Sequence, residues 1–430
     1  MSHSLNPVLS RRAALSGAAA LGLTVDFLGA RAFAATQTDL AARKLVVVVC
    51  RGGLDGLSLS PPVGDPNYKA LRGPIAIGGF GEEGGALRLD ETFGLHPSLA
   101  KVHALAMKGQ ARIAPAVATP DRERSHFEAQ DVLENGQTTP YQVESGWLNR
   151  ALLAMGGKPR ALSIGATAPL ILRGPVEASS WSPGGEASRD PRLAGILQHL
   201  YAADPLLGPA LASGLSTEAM AKLANADAQK SDQMTPAPAM AADPREAAAG
   251  PALRPYMRAG LPQATRLGAT LAGFMVQPQG AQVAAVSIDG FDTHANEGAA
   301  TGQLAARIAY LDAFLDGLAS GMGQSWKSTV VVAATEFGRT ARVNGTLGTD
   351  HGTGSTALLL GGALKAGGII GDWPTLAQNR LFQDRDTWPA LDMRSLFKGV
   401  LRDHLGIERA ALDSGVFPSS AAAAPVSGLV

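Results

Sequence analysis

Long uninterrupted apolar runs alternate along the chain with segments whose apolar residues recur every three or four positions. The clearest run, "KLVVVVC", begins at Lys44, and two further runs end at Ile288 and Ala334. Continuous β-branched runs of this kind are typical of strands buried on both faces of a parallel sheet. Shorter runs predict strands at 111–118, 161–165 and 356–360.

The segment "LAARIAYLDAFLDGL" has the pattern of an amphipathic helix. Its apolar residues recur at alternating steps of four and three, so they share one face of the helix: Leu304, Ile308, Leu311, Leu315 and Leu318. We interpret this stripe as core packing, with no role in binding a cofactor. Buried strands that alternate with helices predict an α/β domain with a mostly parallel sheet, covered by helices on both faces.

The middle of the chain differs in composition. Residues from about 185 to 275 are rich in alanine, leucine and proline, and "MTPAPAMAADPREAAAGPALRP" lies in their centre. Because this stretch offers few side chains that a core could bury, we expect an exposed, mobile connection between two helical ends. The pattern therefore predicts a helical insertion over 185–275 within a single domain over 35–430.

The first 34 residues have the pattern of an export signal. Arg11 and Arg12 precede a weakly apolar stretch over 13–28, and a small-x-small cleavage site follows. Asp26 interrupts this stretch, so no stable membrane span is expected. The order of these features predicts a twin-arginine signal peptide over 1–34. The expected partner during export is the twin-arginine translocase, and the expected location is the periplasm or cell envelope.

Charge and cysteine content exclude some classes of protein. Lysine plus arginine equals aspartate plus glutamate, 37 each, so no net field attracts nucleic acid, and we expect no nucleic-acid partner. Cys50 is the only cysteine, which rules out an intramolecular disulfide. It ends an apolar run and is expected to pack as a small buried hydrophobe.

Carboxylates and imidazoles gather where the predicted strands end. Asp55, Asp292 and Glu336 each follow a buried run, at the sheet edge where ligands bind in α/β proteins. Other polar residues stand nearby in short motifs: Ser125 and His126 in "RSHFEAQD", His294 in "DGFDTHAN", Arg339 in "TEFGRT", and Asp350 and His351 in "GTDHG". Such ligands at one edge predict a divalent metal site for zinc, manganese or calcium.

These motifs together resemble those of a known family. "GGLDGL", "HPSL", "SHFEAQD", "GWLNR", "DTHAN", "TEFGRT" and "GTDHG" occur in the order found in the bacterial exported proteins of domain-of-unknown-function family 1501. The resemblance covers nearly all of the chain after the predicted signal. That family is similar to the alkaline phosphatase and sulfatase superfamily, whose members hold one or two metal ions at strand ends. The resemblance therefore implies an alkaline-phosphatase-like sheet and a metal-dependent ester hydrolase.

The superfamily implies roles for individual residues. Asp55 would be its first metal-binding aspartate, and Asp292 with His294 its later Asp/His pair. "EFG", which begins at Glu336, stands where the superfamily has Asp-His-Gly, and His351 would then be the last histidine ligand.

A second alignment stays open, in which Asp350 and His351 themselves take the Asp-His-Gly place. Phe337, the middle residue of "EFG", cannot bind a metal, which leaves the second metal position of the superfamily without its histidine.

The nucleophile implied by the resemblance is Ser125, with His126 as a ligand or a base. The same serine, with Glu128 three residues later, also has the pattern of a helix capping box, and both interpretations stay open. Cys50 lacks the context in which sulfatases convert a cysteine to formylglycine. Arg339 is expected to grip an oxyanion, because a guanidinium binds such groups in a planar, bidentate way.

Two functions remain as hypotheses. The first is an exported, metal-dependent hydrolase that acts on the phosphate or sulfate ester of a small molecule or a polymer. The alternative is a non-catalytic envelope protein with a degenerate metal site, which serves the binding or assembly of a surface polymer.

Overall fold

The computed structural model describes residues 40, 42–157, 159–165, 168–182, parts of 197–220, and 254–430. The chain divides into two compact units, Met1–Ala42 and Arg43–Val430. The predicted signal peptide and the proline-rich centre of the predicted insertion lie outside the described residues. The second unit contains the sheet, its helices and all the candidate site residues.

The described elements are strands and helices interspersed along the chain. The strands are β1 (Lys44–Arg51), β2 (Leu87–Arg88), β3 (Gly94–Leu95), β4 (Ala111–Ala118), β5 (Ala161–Ile164), β6 (Ala178–Trp181), β7 (Val283–Asp289), β8 (Thr329–Ala334), β9 (Ser355–Leu360) and β10 (Leu391–Asp392). The helices are α1 (Gly56–Leu59), α2 (Tyr68–Arg72), α3 (Ala100–Ala106), α4 (His126–Asn135), α5 (Trp147–Met155), α6 (Arg254–Val276), α7 (Gln303–Met322), α8 (Met393–Leu405) and α9 (Arg409–Ala411). None of the helices in this part of the chain is long and apolar enough to cross a membrane.

Eight of these strands form one sheet in the order β10-β4-β9-β8-β1-β7-β5-β6. The most apolar run, β1, lies inside the sheet and pairs in parallel with β7 and β8. Only β9 runs in the opposite direction, antiparallel to both β4 and β8. The prediction of a mostly parallel α/β sheet is confirmed, and so are the six predicted strand positions. The short edge strands β6 and β10 were not predicted.

The sheet is buried on both faces, which explains the continuous apolar runs. Val46 and Val48 of β1 belong to one core, which includes residues of α6 and α7, while Leu45 and Val47 belong to the other, with residues of α5 and α8. Successive side chains of a strand point to opposite faces, so a strand that is covered on both sides must be apolar throughout. The helical cover on both faces is therefore confirmed. Cys50 is free and buried, as expected.

Helices α6 and α7 pack closely against each other. The predicted apolar stripe of α7 is buried throughout, at exposures of 0–1%. A Cβ added at Gly268 of α6 would collide with the carbonyl oxygen of Phe314, and one added at Gly317 of α7 would collide with that of Thr265. The two glycines thus allow the backbones to approach. The last part of the predicted insertion over 185–275, α6, therefore contributes to the main core, and the rest of the insertion stays a prediction.

The reversed direction of β9 positions the candidate site. The amino end of β9 lies at the same edge of the sheet as the carboxyl ends of β1, β4, β7 and β8. The loop before β9 therefore meets the loops that follow the other four strands, and this edge collects most of the candidate site residues.

A buried histidine far from that edge joins α8 to β1. His404 is 1% exposed, and its Nε2 lies 2.9 Å from the carbonyl oxygen of Lys44. Burial lowers the pKa of His404 to about 4. The imidazole is then neutral in the folded state and gains a proton near pH 6.5 in the unfolded state, so its contribution to stability is lost as the pH falls from about 6.5 to about 4.

We expect this histidine to give a measurable slope of stability against pH. Between pH 7 and pH 4.5 the free energy of unfolding should fall by about 2 kcal/mol more in the wild type than in His404→Gln, which keeps a donor for Lys44 but cannot titrate. Urea unfolding at both pH values measures the difference. Equal losses in the two proteins would show that His404 is not buried as a neutral group.

Candidate metal centre

The loops at the sheet edge bring four conspicuous side chains together. His126 is the first residue of α4, Asp292 and His294 follow β7, and His351 precedes β9. Ligand atoms of His126, Asp292 and His351 all lie within 4.8 Å of one another. These three residues, which we call the metal triad, were separate motifs in the sequence.

Four distances between neighbouring ligand atoms are close to the edge length of a tetrahedral zinc site. His126 Nε2 lies 3.4 Å from Asp292 Oδ2, and His351 Nε2 lies 3.4 Å from Asp292 Oδ1. His294 Nε2 lies 3.0 Å from His351 Nε2 and 3.1 Å from Asp292 Oδ1. Four ligands at zinc bond lengths are about 3.3 Å apart along the edges of a tetrahedron. These spacings suit ligands of one divalent ion, with His126 beside Oδ2 of Asp292 and the other two histidines beside Oδ1.

The environment of His126 leaves its Nε2 free for a metal. Its Nδ1 lies 2.9 Å from Glu336 Oε1, while Nε2 is buried and has no hydrogen-bond partner among the described residues. In the neutral imidazole, Nδ1–H donates to the carboxylate and the lone pair of Nε2 faces Asp292. The hydrogen bond to Glu336 raises the pKa of His126, so a metal and a proton compete for Nε2.

Of the other two histidines, His351 is held by a hydrogen bond and His294 lies near a carboxylate. His351 Nδ1 lies 2.8 Å from the carbonyl oxygen of Arg124, and burial lowers the pKa of His351. His294 Nδ1 lies 3.6 Å from Asp350 Oδ1. Metal-binding histidines commonly direct the second ring nitrogen at a carboxylate or carbonyl, which fixes the orientation of the ring. Asp350 therefore lies behind His294.

Glu336 occupies a position behind His126. Its Oε1 accepts hydrogen bonds from the amides of Gly52 (2.9 Å) and Gly53 (3.1 Å) and from Gln130 Nε2 (3.2 Å), in addition to His126. Burial alone would raise the pKa of Glu336, but the hydrogen bonds from His126 and Gly52 hold it below its usual value. A carboxylate with this many donors orients His126, whereas the sequence had suggested it as a metal ligand.

Arg339 holds Asp292 in place. Its buried guanidinium donates to Asp292 Oδ1 at 2.5 Å and to four backbone carbonyl oxygens, those of Gly52, Gly53, Phe291 and Thr349. Burial works to raise the pKa of Asp292, but the hydrogen bond and charge of Arg339 hold it below its usual value. Because the guanidinium is fully buried and bound to the protein, it presents no face to the oxyanion that the sequence had suggested as its partner.

The glycine-rich loop before β9 lies tightly against the rest of the site. A Cβ added at Gly348 would collide with the backbone of His294, and one added at Gly352 would collide with the backbone of Arg339. Arg339 and His351 also form an isolated antiparallel bridge. Glycine is therefore needed here for close backbone approach, and this approach brings His351 to Asp292.

Asp55 belongs to a separate buried cluster. Its carboxylate caps α1, accepts a hydrogen bond from Ser58 (2.9 Å) and forms a buried ion pair with Arg72, whose guanidinium also lies 3.5 Å from Glu297 Oε1. Burial and the Asp55 carboxylate raise the pKa of Glu297 to about 8. An aspartate neutralised in this way is not placed to bind a cation, although the resemblance had implied that role.

Phe337 packs against the imidazoles of the site. Its ring centroid lies 4.9 Å from that of His126 and 4.7 Å from that of His351. An apolar ring thus lies against two of the three residues of the metal triad.

Ser125 is the N-cap residue of α4. Its hydroxyl donates to the carboxylate of Glu128, and no backbone N–H of the helix donates to it. The capping position is therefore occupied, but the reciprocal bonds of a capping box are not formed. Within the described part of the chain, no hydrogen bond or ion pair joins the hydroxyl of Ser125 to the metal triad.

Comparison with known proteins now gives the family. The family model described as "Protein of unknown function (DUF1501)" matches residues 42–416. The chain belongs to the DUF1501 family. No curated protein matches it. Among solved structures, this DUF1501 chain is similar to the C-terminal periplasmic domain of EcEptC from Escherichia coli in complex with zinc, at 9% identity and a TM-score of 0.30, over 74% of this chain and 72% of that one.

Three residues that take part in the site of this DUF1501 chain or in the separate Asp55 cluster were not singled out from the sequence: Gln130 at the site, and Arg72 and Glu297 in the cluster. Arg72 stands in the helical pattern "YKALR", and its partner Glu297 lies 225 residues away. Only Gln130 had a local signal, since it follows His126 by four residues and so lies one helical turn further along α4.

Proposed function

We propose that this protein binds one divalent metal ion through His126, Asp292 and His351, with His294 as a fourth ligand. The observation that carries the proposal is the grouping of ligand atoms of His126, Asp292 and His351 within 4.8 Å of one another, with His294 Nε2 within 3.0–3.1 Å of two of these residues. Three imidazoles and one carboxylate suit zinc or another transition metal better than calcium, which prefers oxygen ligands.

We further propose that the site hydrolyses a phosphate or sulfate ester. The net reaction adds one water molecule across the bond between the ester oxygen and phosphorus or sulfur, and releases the alcohol and the inorganic anion. A bound divalent ion supplies Lewis-acid polarisation of an ester oxygen. The protein holds the metal-binding residues in place, because Arg339 is hydrogen-bonded to Asp292 and Glu336 is hydrogen-bonded to His126.

Water is the nucleophile in this proposal, since the hydroxyl of Ser125 is engaged by Glu128. We expect Ser125→Ala to keep its metal and to retain turnover within about threefold, whereas loss of a true nucleophile lowers kcat by about a thousandfold or more. Steady-state kinetics with an aryl phosphate and an aryl sulfate measure the effect. A thousandfold loss in a folded, metal-loaded variant would identify Ser125 as the nucleophile, with Glu128 as the adjacent base.

A second candidate is a metal-binding envelope protein without catalytic activity. Two observations favour it: the apolar ring of Phe337 lies against two residues of the metal triad, and Asp55 is neutralised by Arg72. The two candidates differ in turnover. Protein that holds one metal per chain by elemental analysis and hydrolyses a phosphate or sulfate ester supports the first. Bound metal with no turnover across an ester panel supports the second, and absence of bound metal contradicts both.

A further inference from the structure

A cleft of about 520 Å³ borders helix α4, next to the metal triad. We call it the α4 cleft. Its floor includes Arg51, Ile164 and Ser287, which lie near the carboxyl ends of β1, β5 and β7, and its wall includes Phe127 and Gln130 of α4. Ligands of α/β proteins bind at this edge of the sheet.

Helix α4 contributes residues to both the cleft and the metal triad. Gln130 donates from Nε2 to Glu336 Oε1 (3.2 Å), the oxygen that holds His126, and accepts from Arg51 Nη1 through Oε1 (3.1 Å). Phe127 directly follows His126 in α4. A molecule seated in the α4 cleft would therefore lie beside the residues that orient the metal ligands.

Two aromatic rings line the cleft with most of their surface exposed. Phe127 is 81% exposed and Tyr141 is 66% exposed. The turn that presents Tyr141 is fixed, because its backbone N–H donates to Asp131 Oδ1 at 2.7 Å. Exposed aromatic rings at a cleft offer apolar faces that a ligand can cover.

The rest of the lining is mixed: Ile164, Pro169 and Leu170 are apolar, and the other side chains are polar or charged. Arg51 is paired with Glu134 at 2.5 Å, so these two charges compensate each other. Arg173 uses its Nε to donate to the carbonyl oxygen of Ala168 (3.1 Å), and the hydrogen bonds of the described residues leave its two Nη atoms open. Ser287 adds a hydroxyl group. A ligand without polar groups would bury these donors and acceptors unpaired, at a cost in binding energy.

We propose that the α4 cleft binds the alcohol part of the ester, and that this part is a sugar-type ring with several hydroxyl groups. The flat face of such a ring covers Phe127 and Tyr141, while its hydroxyl groups bond to the open Nη atoms of Arg173 and to the hydroxyl group of Ser287. The assignment of this ring as part of an ester rests on the proposed function above, but the binding of the ring does not.

Direct binding tests the proposal separately from catalysis. The probe is glucose 6-phosphate, measured by ligand-observed NMR in the His351→Ala background, where binding of its phosphate to a metal is removed. Two comparison ligands separate the features of the sugar. Phenyl phosphate has a ring but no hydroxyl groups, and glycerol 3-phosphate has hydroxyl groups but no ring. We expect glucose 6-phosphate to bind more tightly than either.

Variants of the cleft should then weaken this binding. Phe127→Ala, Tyr141→Ala and Arg173→Gln should each raise the Kd for glucose 6-phosphate by about tenfold. Met107→Ala is the control, because Met107 is an exposed apolar residue (58%) at the end of α3, outside the cleft lining. Binding that is lost in these variants supports the inference even if no ester is turned over, and in that case only the catalytic proposal fails. Absence of sugar-phosphate binding, tighter binding of phenyl phosphate, or equal affinity in all variants would overturn it.

Discussion

His351→Ala should lose its bound metal and melt at a lower temperature than the wild type. The Nε2 of His351 contacts both His294 Nε2 (3.0 Å) and Asp292 Oδ1 (3.4 Å), so its removal takes away the ligand that links the loop before β9 to the loop after β7. A metal that binds only the folded state stabilises it by mass action, by about 2.7 kcal/mol when free metal is at one hundred times its Kd. Elemental analysis and thermal unfolding measure both effects.

A chelator distinguishes loss of metal from loss of packing. In excess chelator the wild type should melt close to His351→Ala, because the metal contribution is then absent from both proteins. His103→Ala is the matched control, since His103 lies on α3 and its Nε2 contacts the carbonyl oxygen of Arg88 (2.9 Å), away from the triad. It should keep its metal and the chelator-sensitive part of its stability. If His351→Ala keeps its full metal content and melts at the wild-type temperature, His351 is not a metal ligand and the glycine-rich loop is only a turn.

The central strands could be predicted because a strand that is buried on both faces is apolar throughout, and such a run is visible in the sequence. The run from Leu45 to Val49 must be apolar on both sides, since α6 and α7 cover one face of β1 and α5 and α8 cover the other. The edge strand β6 escaped prediction because its four residues, "ASSW", are only half-buried and carry no such pattern. An apolar run also does not indicate whether its strand is parallel or antiparallel to its neighbours. The antiparallel direction of β9 could therefore be seen only in the structure.

The sequence predicted which types of residue form the candidate site better than it predicted how they are arranged in space. Strand-end carboxylates and histidines indicated a metal site, and His126, Asp292 and His351 do lie together. Whether each of the other candidate residues can bind a metal depends on the residues that surround it in the folded protein. Glu336 and Asp55 stand in equivalent places after their strands, yet Glu336 holds His126 while Asp55 pairs with Arg72, and no local pattern distinguishes the two.

Arg72→Met should be strongly destabilising. At neutral pH Glu297, with its pKa raised to about 8, is largely protonated, so the charges of Asp55 and Arg72 balance in a cluster that is almost fully buried. Removing one partner of a buried ion pair leaves an unpaired charge and costs about 3–5 kcal/mol. Denaturant unfolding measures the loss. Lys101→Met is the control, since Lys101 and Asp316 form an exposed pair at 3.7 Å, worth less than about 1 kcal/mol.

The double variant Arg72→Met/Asp55→Asn separates charge balance from metal binding. Because it removes both charges, it should recover most of the stability that Arg72→Met loses, a coupling that independent sites do not show. Asp55→Asn alone should keep one metal per chain, because Asp55 is held by Arg72 and Ser58 and is not a member of the metal triad. If a folded Asp55→Asn variant binds no metal, Asp55 is a ligand after all, and the pair with Arg72 must open when the metal enters. Recovery in the double variant together with full metal content in Asp55→Asn would establish that the buried pair supports the fold and leaves the metal to the histidines and Asp292.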